Sequence, residues 1–163
     1  MLAKIHEQIE RTDHLIGLLP PEYLDWAPST PGLNCWTMAR LLGHLLECLA
    51  GFCAVLVAAN PEQLAHFNGL RQMPVNHSCE ISEARDRIAL YRTHIDEGFR
   101  LLRDTDLTRR LPTVFVSDGE TVLTLLLGNL EHLVNHKHQL FTYLKLTGAG
   151  VATRDLYHFR NEA

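Results

Sequence analysis

The chain is expected to fold as an all-α protein, a four-helix bundle with long connections. Three observations point to this. Apolar residues recur at helical spacing in four separate stretches. Prolines, glycines and capping residues close those stretches off. The pattern changes only over a short β-branched run, residues 112–116. At 163 residues the length suits one domain, able to bury about 70% of its unfolded surface without a staple. The expectation is a single domain over 1–163, with 149–163 as a C-terminal tail or an extra docking turn.

In the first helix Ile5, Ile9, Ile16 and Leu19 keep one apolar stripe, and Glu7, Glu10, Arg11 and Asp13 lie mostly off it. Pro20-Pro21 ends it, because proline lacks an amide donor and clashes with the preceding turn. Residues 22–34, with Pro28, Pro31 and Gly32, read as an ordered loop. The second helix is expected from about Thr37 to Ala59. A third is expected to begin at Ser82 as N-cap, with Glu83 and Asp86 complementing the helix dipole. Its stripe is Ile88, Tyr91, Ile95, Phe99 and Leu102. The link 61–79 reads as polar and irregular. Pro112 to Val116 reads as a short extended segment before the turn dipeptide Asp118-Gly119. The fourth helix runs from near Thr121 to Gly148, a fitting C′ glycine, with Lys145 near its end.

Composition removes several function classes. Hydrophobic residues make up 46% and charged residues 21%, an ordinary globular balance that excludes disordered and fibrous readings. The net charge is −4 and the densest basic pair is Arg109-Arg110, so no nucleic-acid partner is expected. Leu41–Ala59 is apolar, but a membrane span would leave His44 and Glu47 in lipid, and Asn60-Pro61 stops the run at minimal spanning length. A buried helix and no membrane partner are expected. The N-terminal residues lack the apolar core of a signal peptide, and the 4 cysteines include no CxxC, which favours a reduced, cytoplasmic protein. GxGxxG, Walker-type and serine-elbow motifs are absent, and a di-iron site lacks its Glu-x-x-His pairs.

The chemistry-bearing residues are histidines. His132 and His136 are four apart on the fourth helix, so their rings project from one face, one turn apart, close enough to share a metal ion. Solvated polar residues give the same spacing. His44, however, lies on the stripe Leu41, Cys48 and Phe52 of the most apolar helix. A buried imidazole needs a partner for each ring nitrogen. A metal on one nitrogen and an acceptor on the other would supply them. Three histidines from two helices would leave coordination positions open.

Two stretches extend this reading. Trp36-Thr37-Met38-Ala39-Arg40-Leu41-Leu42-Gly43-His44-Leu45-Leu46-Glu47 and His132-Leu133-Val134-Asn135-His136-Lys137-His138-Gln139, running on to Tyr143-Leu144 and Gly148, resemble the DinB/YfiT-like metal-binding four-helix bundles. The pattern is a histidine in the second helix, then H-x3-H-[RK]-x-Q ending in Tyr-Leu and a glycine, and it places the family's three ligands at His44, His132 and His136. One departure is His138, where the family has glycine. It lies about 200° around the helix from His136 and is not expected to ligate.

The resemblance implies one divalent metal (zinc, nickel or iron), a possible low-molecular-weight thiol cosubstrate, a small-molecule substrate and a possible homodimer. It points to a metal-dependent S-transferase. The alternatives are a metal-dependent hydrolase, or a non-catalytic stress-related bundle that binds metal or a ligand. Three neutral imidazoles leave the metal's charge uncompensated, so an incoming thiol would lose its proton readily. Around the site, Cys48 reads as a small buried apolar residue. Glu47 is either an outer acceptor or a charged edge residue, and Gln139 hydrogen-bonds near the site or between helices. Trp26, Trp36 and Tyr143 read as core or loop anchors, and His94 as an edge residue. His6, His14, His66, His77 and His158 carry no spacing argument. Loops 60–80 and 103–120 are expected to rim the site.

Overall fold

A computed structural model describes residues 1–29, 32, 34–113 and 116–157, without the side chain of Arg71. Helix α1 covers Leu2–Gly17 and a 3-10 turn covers Pro21–Tyr23. Helix α2 covers Met38–Ala59, and its first turn is capped where the Thr37 side chain accepts from the Arg40 amide at 3.2 Å. A short α3, Asn68–Arg71, precedes α4, Ile81–Leu101. A two-residue antiparallel pair, β1 at Arg110–Leu111 and β2 at Glu120–Thr121, leads into α5, Val122–Leu146. A single turn, α6, covers Thr153–Leu156.

The four long helices form the bundle. Both α1 and α2 pack against α4 and α5, so α1 and α2 stand on the diagonal. Since α2 faces neighbours on two sides, its sequence is apolar nearly all round. Met38, Leu41, Leu42, Leu46, Cys48, Phe52 and Leu56 are fully buried. Each buried leucine contributes about 2 kcal/mol. By length and composition α2 is long enough to cross a membrane, yet 67% of that window is buried inside the bundle. On α4 the stripe is as expected: Ile88, Tyr91 and Ile95 are buried and Phe99 packs at their edge.

Helix α5 divides its faces. Leu126, Leu133, Leu140 and Leu144 fill the core. Lys137 is buried beside them, and its Nζ donates to Oε1 of Gln8 on α1 at 2.8 Å. Thr121 caps the helix by accepting from the Thr124 amide, and Gly148, at φ 79°, is the C′ residue expected.

Two local expectations are corrected, the start of the third helix and the link 61–79. The third helix starts at Ile81 with Glu80 as its N-cap, so Ser82 lies inside it. The amide of Cys79 is tied to the carbonyl of Ala39, which fixes where the chain enters the helix. The link 61–79 is not merely irregular: it holds a 3-10 turn and α3, and buries Leu64, Phe67, Leu70 and Cys79. Strand pairing involves the residues flanking 112–116, of which 114 and 115 lie outside the described residues. Residues after 148 supply α6, which packs on α1 with Asp155 at 3.3 Å from His14, and 158–163 lie outside the described residues.

Candidate metal centre

The two helices that carry the three histidines run antiparallel side by side. Gly51 of α2 faces Asn129 of α5, and earlier on α2 His44 faces His132 and His136, later on α5. The three rings meet in the cleft between them. Nε2 of His44 lies 3.0 Å from Nε2 of His132 and 3.0 Å from Nε2 of His136. The donor atoms of these histidines are close enough together to hold a metal ion, and no carboxylate belongs to this group.

The outer nitrogens fix the tautomers. Nδ1 of His44 lies 2.6 Å from Oδ1 of Asn76 and 3.0 Å from a carboxylate oxygen of Glu47. A carboxylate only accepts, so His44 carries its proton on Nδ1 and leaves Nε2 as a bare lone pair. Nδ1 of His136 donates to Oε1 of Gln139 at 2.8 Å, and Nε2 of Gln139 donates to the Tyr143 hydroxyl at 3.1 Å. His136 therefore also turns a bare Nε2 inward. Two lone pairs 3.0 Å apart have no hydrogen between them and repel. A cation resolves the conflict. Ligands about 2.1 Å from a tetrahedral zinc stand roughly 3.4 Å apart, close to the separation here.

Electrostatics favours the neutral rings that a metal needs. Burial, with a smaller push from His44, holds the His132 pKa below its ordinary value. Burial does the same to His136 against the opposing hydrogen bond from Gln139. Trp36 lies over the cluster, its ring 4.6 Å from that of His44 and 5.8 Å from that of His136, with one face toward solvent.

Asn76 arrives through a close approach of backbones. Its amide donates to the carbonyl of Gly43, one residue before His44. A Cβ on Gly43 would stand 2.0 Å from the carbonyl oxygen of His77, so only glycine admits the loop. Asn76 itself has φ 56°, a left-handed conformation that asparagine tolerates better than most residues.

The expected site residues come together as follows. His44, His132 and His136 converge. Gln139 and Glu47 both bond an outer nitrogen, and Glu47 is also exposed at the edge. Cys48 is buried, its thiol donating to the His44 carbonyl and pushed up by burial to about 12. His138 is exposed and bonds the Val134 carbonyl. Trp26 and Tyr143 anchor one another edge to face. Trp36 is corrected from an anchor to a wall of the site. Loop 60–80 reaches the site through Asn76, which no local sequence signal marked. In the 103–120 loop, residues 114 and 115 lie outside the described residues, and Arg109 points away from the site. Arg109 bonds the carbonyl of Ala59 at the far end of α2, about 22 Å along the helix from His44.

Comparison with known proteins agrees with this architecture. No curated protein matches the chain. Among solved structures, it is similar to a DinB-like protein of Bacillus subtilis, YjoA, with a TM-score of 0.65 and 16% identity over 90% of this chain and 91% of that one. At that identity the likeness speaks for the fold alone. The DinB superfamily model matches residues 4–140, from the first helix through both histidine-bearing helices, and the chain belongs to that superfamily.

Proposed function

We propose that the chain binds one divalent metal, zinc, nickel or iron(II), through His44, His132 and His136, and acts as an S-transferase that joins a low-molecular-weight thiol to a small electrophile. The observation that carries this is the inward convergence of Nε2 lone pairs at 3.0 Å, each outer nitrogen of His44 and His136 being held by an acceptor. When bound, a dication on three neutral imidazoles lowers the pKa of an incoming thiol and supplies the thiolate.

The surrounding residues suit this chemistry better than hydrolysis. Glu47, the carboxylate nearest the cluster's histidines, faces the outer nitrogen of His44 and is not grouped with the donor atoms. Among the described residues no carboxylate is grouped with the three donor atoms as a general base, while a thiol with a pKa near 8.5 is readily turned to thiolate. Trp36 offers a flat apolar wall beside the rings for the electrophile. A cytoplasmic setting and a homodimer accompany the reading by family analogy.

The test begins with elemental analysis of protein purified without a nickel column. The metal content is expected to fall by about one ion per chain in His132→Ala with His136→Ala. The loaded protein is then offered thiols with an electrophile, and consumption of both is followed. Metal without turnover, together with a higher melting temperature, would favour a non-catalytic bundle. Thiol-independent cleavage of an ester or amide would favour hydrolysis. Absence of metal after dialysis against each ion would sink the metal reading altogether.

A further inference from the structure

A second cluster of ligand-type side chains lies where the 72–80 loop enters α4. One ring nitrogen of His77, the Cys79 sulfur and a Glu83 carboxylate oxygen all lie within 4.8 Å of one another. Nε2 of His77 is 2.9 Å from Oε1 of Glu83. These residues come from a different part of the chain than the three histidines of the bundle cleft, and no residue is shared.

The cluster is held by backbone as well as by the bond between His77 and Glu83. The Asn76 amide bonds the Gly43 carbonyl on one side of His77, and the Cys79 amide bonds the Ala39 carbonyl on the other. Both anchors are on α2, and Gly43 lets the backbone of His77 lie against the helix. Glu83 is set by the first turn of α4. The donors therefore stand together without a ligand, which removes much of the ordering cost of binding. Cys79 is only 1% exposed, whereas His77 and Glu83 open to solvent and give a cation a way in.

The donor set has a chemical preference. Imidazole nitrogen, sulfur and carboxylate oxygen are the three zinc ligand types, and sulfur selects against magnesium and calcium. Arg87 is the competing charge: its guanidinium lies 3.3 Å from Oε1 of Glu83 and also bonds the Pro74 carbonyl and the Tyr91 hydroxyl. Those two bonds keep it in place when a metal takes the carboxylate.

We propose that His77, Cys79 and Glu83 form a second divalent-metal site of zinc type, with water completing its coordination. On binding, the Cys79 thiol gives its proton to solvent and the sulfur bonds the metal as thiolate, while the His77 proton that faces Glu83 moves to the other ring nitrogen and frees the first as a ligand. This site does not depend on the three-histidine reading.

Cobalt(II) separates the two. A thiolate bound to cobalt gives a near-ultraviolet charge-transfer band, and three histidines give none. Metal-free full-length protein is titrated with cobalt(II) as wild type, as Cys79→Ser, and as His132→Ala with His136→Ala. The band is expected in the wild type and in the double histidine variant, and is expected to vanish in Cys79→Ser. Glu83→Gln, which keeps the sulfur, is expected to need roughly tenfold more cobalt or above for the same band, with its circular dichroism unchanged. No band in the wild type overturns the proposal. So does a band that survives Cys79→Ser, because another cysteine would then be its source. A Glu83→Gln titration identical to wild type overturns the ligand set.

Discussion

Asn76 shows how much a single side chain outside the helices carries. It reaches Nδ1 of His44 at 2.6 Å and holds a left-handed backbone while doing so. Two substitutions separate these roles. Asn76→Gly keeps the backbone but removes the acceptor, and metal affinity by calorimetry is expected to fall about tenfold with little loss of stability. Asn76→Ala adds backbone strain, about 1 kcal/mol in chemical denaturation, to the same loss of affinity. Lys137 is the other telling residue. Burial first, then nearby Arg11, holds its pKa down to about 8. Below that value lysine is charged in both folded and unfolded chains. Between about 8 and the ordinary 10.5 the unfolded chain binds a proton that the folded one does not, so stability rises with pH. Thermal melts at two pH values across this window are expected to show that rise in wild type and not in Lys137→Met.

At the scale of elements, the sequence made the three histidines legible and hid their surroundings. His132 and His136 declare themselves by spacing on one helix, and Thr37 and Gly148 mark helix ends by local chemistry. These are short-range signals. Asn76 is 32 residues from His44, and its role arises only when the loop docks on α2. Trp36 likewise becomes a wall of the site through its contact with a ring on α5. Ser82 was a plausible cap by residue type, but the tie from Cys79 to Ala39 admits the helix two residues sooner. The glycine at 43 is the hinge of this docking. Gly43→Ala is expected to cost about 3 kcal/mol in urea unfolding, since the new Cβ meets backbone that cannot yield cheaply. The same variant should lose metal affinity, because the displaced loop takes Asn76 with it.

For the molecule as a whole, the core stands on its own, and the proposed metal would add to it. The buried apolar residues of α1, α2, α4 and α5 form one continuous cluster. The bundle is therefore expected to be folded without metal and more stable with it. A metal at about a hundred times its dissociation constant adds roughly 2.7 kcal/mol, read as an upward shift of the melting temperature. His132→Ala should remove the share of that response that belongs to the three-histidine cleft and leave the metal-free melting temperature within a few degrees of wild type.

The placement of all three ligands on α2 and α5 also has a kinetic consequence. His44 and His132 are 88 residues apart, with the loop, α4 and the hairpin between them. Bringing them together closes a long loop, so the ion is expected to find its ligands late in folding, after the rate-limiting step. Stopped-flow traces are then expected to show a refolding rate indifferent to metal and an unfolding rate slowed by it. In the cell the same asymmetry would make metal supply a control on how long each molecule persists, rather than on whether it forms.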